Sequence, residues 1–145
     1  MRGPFPRFSG NVTITQYPDN PELFKVKESF LYRSLEDVCY CVLPGWLTDG
    51  GSIPRLMWRV LGPPIRHPGL PAFILHDILY KSGVVPRKKA DDLLLEALED
   101  CGVGWLKRWA IYSGVRIGGQ LPYEEESNEI MSHYIRISDP CTETS

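Results

Sequence analysis

The chain has 145 residues, of which 43% are apolar and 23% charged, the proportions of an ordinary globular protein. Its 16 basic and 18 acidic residues give a net charge of −2, which argues against a nucleic-acid-binding protein, since that class carries a basic excess. No apolar run approaches the roughly 20 residues that a membrane span needs. We therefore expect one soluble domain over residues 1–145, with a core at about 10–119 and a C-terminal tail at 120–145.

The first part of the chain has the composition of β-strands. Segments Asn11–Thr15, Leu23–Tyr32 and Asp37–Leu43 are rich in β-branched and aromatic residues, and in the second of them apolar residues alternate with lysines. Proline, aspartate and asparagine between the first two segments indicate a turn. These three segments predict a small antiparallel sheet.

After the strands, the pattern becomes helical. Prolines and glycines delimit four helical segments, which are Arg55–Leu61, Pro71–Lys81, Pro86–Cys101 and Trp105–Ile117. An apolar alternation at Tyr134–Ile137 predicts a last strand. The expected fold class is therefore α+β, with a small N-terminal antiparallel sheet followed by a bundle of about four helices.

Four cysteines, Cys39, Cys41, Cys101 and Cys141, are too few and too scattered to predict a disulfide framework. Cys39 and Cys41 would face the same side of a strand, and no CxxC pair of the kind typical of zinc sites is present. We expect the four to be buried thiols.

The candidate catalytic residues lie around His76, in the otherwise apolar helix predicted at Pro71–Lys81. Tyr80 follows His76 by four positions and Asp77 by three, so the three side chains occupy adjacent positions of the helix surface. Asp91 lies in the next helix, which a short link predicts to be a near-antiparallel neighbour. The cluster is either a catalytic site or a hydrogen-bonded structural network, because buried polar groups must be satisfied.

A glycine-bearing loop, TDGGSIP, stands at the predicted switch from strands to helices. The carbonyls and amides of such a loop, here with Asp49 and Gly50, can hold a cation or an oxyanion. A tight turn in which Asp49 or Ser52 caps the following helix is an equally good interpretation.

Four blocks in order, TDGGSIPRLMW, LHDILY, RKKADDLLLEAL and AIYSGVRIGG, resemble a small uncharacterised family of bacteriophages and prophages. The resemblance covers roughly Pro44 to Gly119. It implies synthesis in a host cytoplasm and a possible place in the virion among other virion proteins, and it implies no activity.

The motif His76-Asp77-Ile78-Leu79-Tyr80, followed by Ala90-Asp91, is similar to the His-Asp site of phospholipases A2. That likeness implies a calcium-dependent ester hydrolase acting on a lipid or another ester. His76 would be the general base, Asp91 would fix its tautomer and Tyr80 would steady a carboxylate. Asp77 would bind calcium together with the loop at Asp49 and Gly50. The loop lacks the glycine order of those enzymes, and the cysteines that bracket their histidine are missing here.

Two further sets of residues have structural and binding interpretations. Arg116, four positions after Tyr112, would pair with Asp91 or Asp49, or contact an anionic group. Trp105 and Trp109, beside Lys107 and Arg108, suit a lipid interface or a partner contact, and the alternative is core packing.

Two functional hypotheses follow. The first is a phage-encoded, calcium-dependent hydrolase with His76 as base. The second is a non-enzymatic virion or accessory protein in which the cluster is structural. A zinc-dependent cell-wall hydrolase is a more distant third, because the sequence has no HExxH-type pair.

Overall fold

The computed structural model describes residues 8–10, 12–16, 18–19, 23–48, 68–118 and 132–141. Within these ranges, six short strands precede three helices, and a seventh strand follows them. The strands are β1 Phe8–Ser9, β2 Ile14–Gln16, β3 Phe24–Val26, β4 Phe30–Arg33, β5 Cys39–Val42, β6 Leu47–Thr48 and β7 Ile135–Ser138. The helices are α1 Leu70–Ser82, α2 Arg87–Asp100 and α3 Trp105–Gly118.

The strands form two antiparallel sheets. One has the order β1-β4-β5-β7 and the other the order β2-β3-β6. Backbone hydrogen bonds extend the β3–β6 pairing at Val26, whose N–H donates to the Trp46 carbonyl at 2.8 Å and whose carbonyl accepts from Gly45 at 2.8 Å. Both Val26 and Trp46 are buried, so the two sheets share one core with the helices.

Helix α1 is the central helix of this core. Nine of its 13 residues are buried, which is why its sequence is apolar on nearly every side. The helix ends where Gly83 adopts a left-handed conformation, φ 67°, and donates its N–H to the Leu79 carbonyl at 3.2 Å. A link of four residues then leads into α2, which packs against α1, and α3 packs in turn on α2. His76 and Asp77, which lie on α1, are therefore in the protein interior.

The α+β class and the mainly N-terminal position of the strands agree with the expectation from the sequence, and the count of four helices does not. Three of the four expected helices are present within about one residue of their expected ends. The fourth, at Arg55–Leu61, lies outside the described residues. The segment Leu23–Tyr32 is two strands, because β3 and β4 belong to different sheets and the chain crosses between them at Lys27–Ser29.

The expectation of four thiols was wrong for two of the cysteines, because Cys39 and Cys141 form a disulfide. Strand β7 pairs with β5 so that Ser138 lies opposite Cys39, and the Cys141 N–H donates to the Asp37 carbonyl at 2.7 Å. This pairing brings together two cysteines that are 102 positions apart in the sequence. Cys41 is buried outside this disulfide.

Candidate functional site

The α1–α2 hairpin brings His76 and Asp91 into direct contact. His76 Nε2 lies 2.6 Å from Asp91 Oδ1, across a sequence separation of 15. Both side chains are in the interior, with 2% of His76 and none of Asp91 exposed. The sequence places them on facing helices, and the short link folds α2 back on α1 so that their side chains meet.

Helix α3 completes the surroundings of Asp91. Arg116 Nη1 donates to Asp91 Oδ2 at 2.9 Å, and Arg87 Nε lies 3.8 Å from the same oxygen. Arg87 also fastens the end of α3, since its Nη2 donates to the Arg116 carbonyl at 3.0 Å. Each oxygen of Asp91 thus has a cationic or polar partner. We call His76, Asp91, Arg116 and Arg87 the inner network.

These contacts keep Asp91 ionised. Burial by itself would raise the pKa of Asp91, but the hydrogen bonds from His76 and Arg116 outweigh it and hold the pKa below its ordinary value. An ionised carboxylate accepts hydrogen bonds only, so His76 Nε2 carries the hydrogen in this contact. In the neutral ring, the lone pair is then on Nδ1, which is the tautomer a general base needs on that side.

Tyr80 contacts the inner network through its ring. The Tyr80 and His76 rings are stacked, with centroids 6.0 Å apart and planes inclined by 28°. The hydrogen bond from the Tyr80 hydroxyl to a carboxylate, which the resemblance to phospholipases A2 implies, stays a prediction.

Asp77 is buried beside the inner network without being part of it. Its Oδ1 lies 3.0 Å from Lys81 Nζ, one helical turn later, and the lysine reaches solvent. The ammonium group therefore compensates the charge of a carboxylate that is 1% exposed.

A second polar group, on the outer side of α2, is centred on Asp92. The Tyr112 hydroxyl donates to Asp92 Oδ1 at 2.9 Å, and Lys88 Nζ donates to Asp92 Oδ2 at 2.8 Å. We call Asp92, Lys88 and Tyr112 the outer network. The hydrogen bond to Asp92, followed by desolvation, raises the pKa of Tyr112. Tyr112 thus contacts Asp92, the residue that follows Asp91 in the sequence, and belongs to the outer network.

Of the calcium ligands expected from the sequence, only Asp77 lies within the described residues, so this set of ligands stays a prediction. Asp49 and Gly50 lie outside the described residues, and Asp77 faces Lys81. Within the ranges that the structure describes, no group of three or more His, Cys, Asp or Glu side chains is arranged to hold a metal ion. The described residues alone therefore do not fit calcium, which prefers six to eight oxygen ligands.

Two residues of the site were missed in the sequence, although simple spacing points to both. Lys81 stands four positions after Asp77, and Arg87 stands four positions before Asp91. Opposite charges at this spacing meet on one helix face.

A family model matches residues 24–115, which is more than half of the chain and includes α1, α2 and most of α3. The chain belongs to the family described as "Protein of unknown function (DUF1353)". This confirms the expectation of an uncharacterised family. Comparison with curated proteins and with solved structures found no match.

The matched region contains His76, Asp91 and Arg87 and stops one residue before Arg116. Strands β1, β2 and β7 lie outside it, and so does Cys141. The helical hairpin that carries the His76–Asp91 contact is therefore within the part that defines the family. Among the described residues, no helix is long and apolar enough to cross a membrane.

Proposed function

We propose that this protein is an ester hydrolase in which His76 is the general base and Asp91 is its positioning residue. The observation that carries the proposal is the 2.6 Å contact between His76 Nε2 and Asp91 Oδ1. A carboxylate bonded to one ring nitrogen sets the tautomer and stabilises the imidazolium that forms when the other nitrogen takes a proton.

The reaction needs only a water molecule and an acyl ester. His76 Nδ1 takes a proton from the water as its oxygen forms a bond to the ester carbonyl carbon. The electron pair of the carbonyl double bond moves to the carbonyl oxygen. The tetrahedral intermediate then expels the alkoxide, which takes the proton back from His76, so that an acid and an alcohol are released. Asp91 keeps its negative charge throughout.

The cost of the inner network supports a functional role. Burying ionisable groups costs several kcal/mol per ion, and a packed apolar cluster of similar volume is often at least as stable. The α1–α2 hairpin nevertheless buries Asp77, Asp91 and His76 within one small domain. Asp91, whose pKa is held below its ordinary value by His76 and Arg116, is a perturbed group of the kind that concentrates at functional sites.

The substrate class rests on the similarity of His76-Asp77-Ile78-Leu79-Tyr80 to phospholipases A2, which favours a phospholipid or a related acyl ester. A calcium ion at Asp77, Asp49 and Gly50 would polarise the carbonyl group in such an enzyme. Calcium dependence is the part of the proposal for which the described residues offer least support, because Lys81 is already paired with Asp77.

The test is release of fatty acid from phospholipid vesicles by the purified full chain, with calcium and with a chelator. His76→Gln should abolish the release while the far-ultraviolet circular dichroism remains native. Asp92→Asn, one position beyond Asp91 and outside the inner network, is the matched control and should keep the activity. Equal release by the wild type and His76→Gln, or no release from any acyl ester tested, contradicts the proposal. Release that the chelator leaves unchanged would show that the hydrolysis does not depend on calcium.

A second function is favoured by the burial of the inner network, since 2% of His76 and none of Asp91 is exposed. In that case the protein is a non-enzymatic phage component, an accessory or virion protein, and the network joins α1, α2 and α3. The proposed phage origin rests only on the four sequence blocks. Under this function His76→Gln lowers stability and alters no turnover, and the chain co-purifies with assembled particles.

A further inference from the structure

The outward face of α3 is apolar. Trp105, Leu106, Trp109 and Ile117 are large apolar residues with 66%, 69%, 49% and 79% of their surface exposed. On one helix they lie within about 120° of each other, at 100° per residue. We call these four residues the α3 outward face. Large apolar side chains concentrated on one surface mark a binding region rather than the scattered exposure usual for a soluble protein.

The orientation of this face is fixed by other residues of the same helix. Ile111 and Val115 lie on the opposite side and are buried in the core. Arg116 and Tyr112 lie beside the tryptophans around the helix, and their side chains reach Asp91 and Asp92 on α2. The helix therefore cannot rotate to bury its tryptophans without breaking both networks. Its exposed apolar side is held outward by the fold.

Basic residues stand at both ends of the α3 outward face. Lys107 and Arg108 lie in the first turn of α3, and α3 contains no acidic residue. At the other end, Arg116 lies beside Arg87, whose guanidinium donates to the Arg116 carbonyl at 3.0 Å, and Lys88 follows. The side chains of Arg87, Arg116 and Lys88 are 34%, 36% and 68% exposed.

We propose that the α3 outward face docks onto an anionic lipid surface. Charge decides between this occupant and a second copy of the chain. At the end that carries Arg87, Arg116 and Lys88, three positive charges face the two carboxylates of Asp91 and Asp92, so an excess of one positive charge remains. Because both ends of the face thus keep a positive excess, either direction of α3-to-α3 pairing would set like charges against each other. Anionic headgroups complement both ends at once, while the apolar residues enter the boundary of the acyl chains.

The length and composition of α3 suit a helix lying in the plane of the interface. Its 14 residues span about 21 Å, too short to cross a bilayer but long enough to lay Trp105 and Ile117 on the same surface. Tryptophan favours the headgroup region because its ring is apolar and its N–H is polar. The inference is independent of the hydrolase proposal, since docking is measured without turnover.

The experiment is flotation of the full chain with vesicles of phosphatidylcholine alone and of phosphatidylcholine mixed with phosphatidylglycerol. We expect binding to the mixed vesicles that weakens in about 1 M salt, where charges are screened beyond about 3 Å. The double variant Trp105→Ser/Trp109→Ser should weaken binding by about tenfold or more, because each indole buries a large apolar area. Leu35→Ser is the matched control: Leu35 is 57% exposed, lies outside α3, and should leave binding unchanged.

The charge component is tested separately. Lys107→Gln should weaken binding to mixed vesicles by about fivefold, the effect of one basic residue near an anionic surface. Lys25→Gln, an exposed lysine on β3, should have no such effect. Circular dichroism and thermal unfolding of each variant show whether it has kept the fold.

Three outcomes overturn the inference. One is failure of the wild type to float with mixed vesicles. Another is equal binding by wild type and the folded Trp105→Ser/Trp109→Ser variant. The third is a stable dimer that this double variant dissociates, with no vesicle binding, because the face would then be covered by a second copy. If docking is found in a protein without hydrolase activity, the inference stands and the hydrolase proposal fails.

Discussion

Asp91 and Asp92 are consecutive residues of α2, and they belong to two different electrostatic regions. Asp91 is completely buried and accepts from His76 and Arg116 in the inner network. Asp92 is 44% exposed and accepts from Lys88 and Tyr112 in the outer network. Successive residues of a helix point about 100° apart, which here separates the protein interior from its surface. The same type of side chain is therefore part of a buried network in one region and of a surface pair in the other.

The difference between the two networks lies in what remains when one partner is removed. In the outer network, water replaces a lost hydrogen bond, so the pair contributes little to stability. In the inner network no water takes the vacated place of Asp91, and the remaining groups lose their compensation. Variants in the two regions test this contrast.

The largest effect should come from Asp91→Asn. The change removes the charge that compensates Arg116 and His76, and we expect the free energy of unfolding to fall by about 3 kcal/mol. The value is at the lower end of the range for broken buried pairs because Arg116 can turn toward solvent. Denaturation in urea measures it. Asp92→Asn, the control, should cost at most about 1 kcal/mol. Similar losses for both variants would break the distinction between inner and outer networks.

The next effect should come from His76→Gln. Asp91 keeps its hydrogen bond from Arg116, so the loss is one buried hydrogen bond and the packing of the ring against Tyr80. We expect a decrease of about 1–3 kcal/mol in the free energy of unfolding. In a double-mutant cycle with Asp91→Asn the two losses should not add, because they remove the same contact. Additive losses would mean that the 2.6 Å contact does not couple the two residues.

Acid should weaken the inner network. The pKa of Asp91 is lowered in the folded protein, below its usual 3.8, so its contribution to stability is fully present above about pH 4. The contribution is lost as the pH falls through the folded pKa. The difference in unfolding free energy between the wild type and Asp91→Asn should therefore shrink below pH 4, in urea titrations at a series of pH values. A gap that stays constant down to pH 2 would contradict an ionised Asp91 in the folded state.

Local sequence patterns predicted much of the helical hairpin. Pro71 and Gly83 delimit α1, and the short link placed His76 opposite the helix that carries Asp91. These features depend on residues a few positions apart, so the chain reveals them directly. The i,i+4 pair of Asp77 and Lys81 was equally available and explains how a buried carboxylate is compensated.

Long-range pairings could not be predicted in the same way. One of the two strands that pair with β5 is β7, almost a hundred residues later, and the Cys39–Cys141 disulfide depends on that pairing. Likewise, the division of Leu23–Tyr32 between two sheets follows from which strands lie beside it, a property that alternation within the segment does not contain. The exposure of Trp105 and Trp109 depends on which side of α3 meets α2.

The smallest effect should come from Lys88→Ala in the outer network. Lys88 is exposed and its pair with Asp92 is a surface ion pair of the i,i+4 kind, so the change should leave the urea midpoint within experimental error. The hydrogen bond to Asp92 holds the pKa of Lys88 above its ordinary value, and this is a local effect that salt screens. Raising the salt concentration should accordingly remove any small difference between Lys88→Ala and the wild type. The loss caused by Asp91→Asn should persist in the same salt series, because Asp91 is completely buried and salt screens buried pairs much less than exposed ones. A loss that disappears with added salt would mean that the inner network behaves like a surface ion pair, and it would contradict the contrast between the two networks.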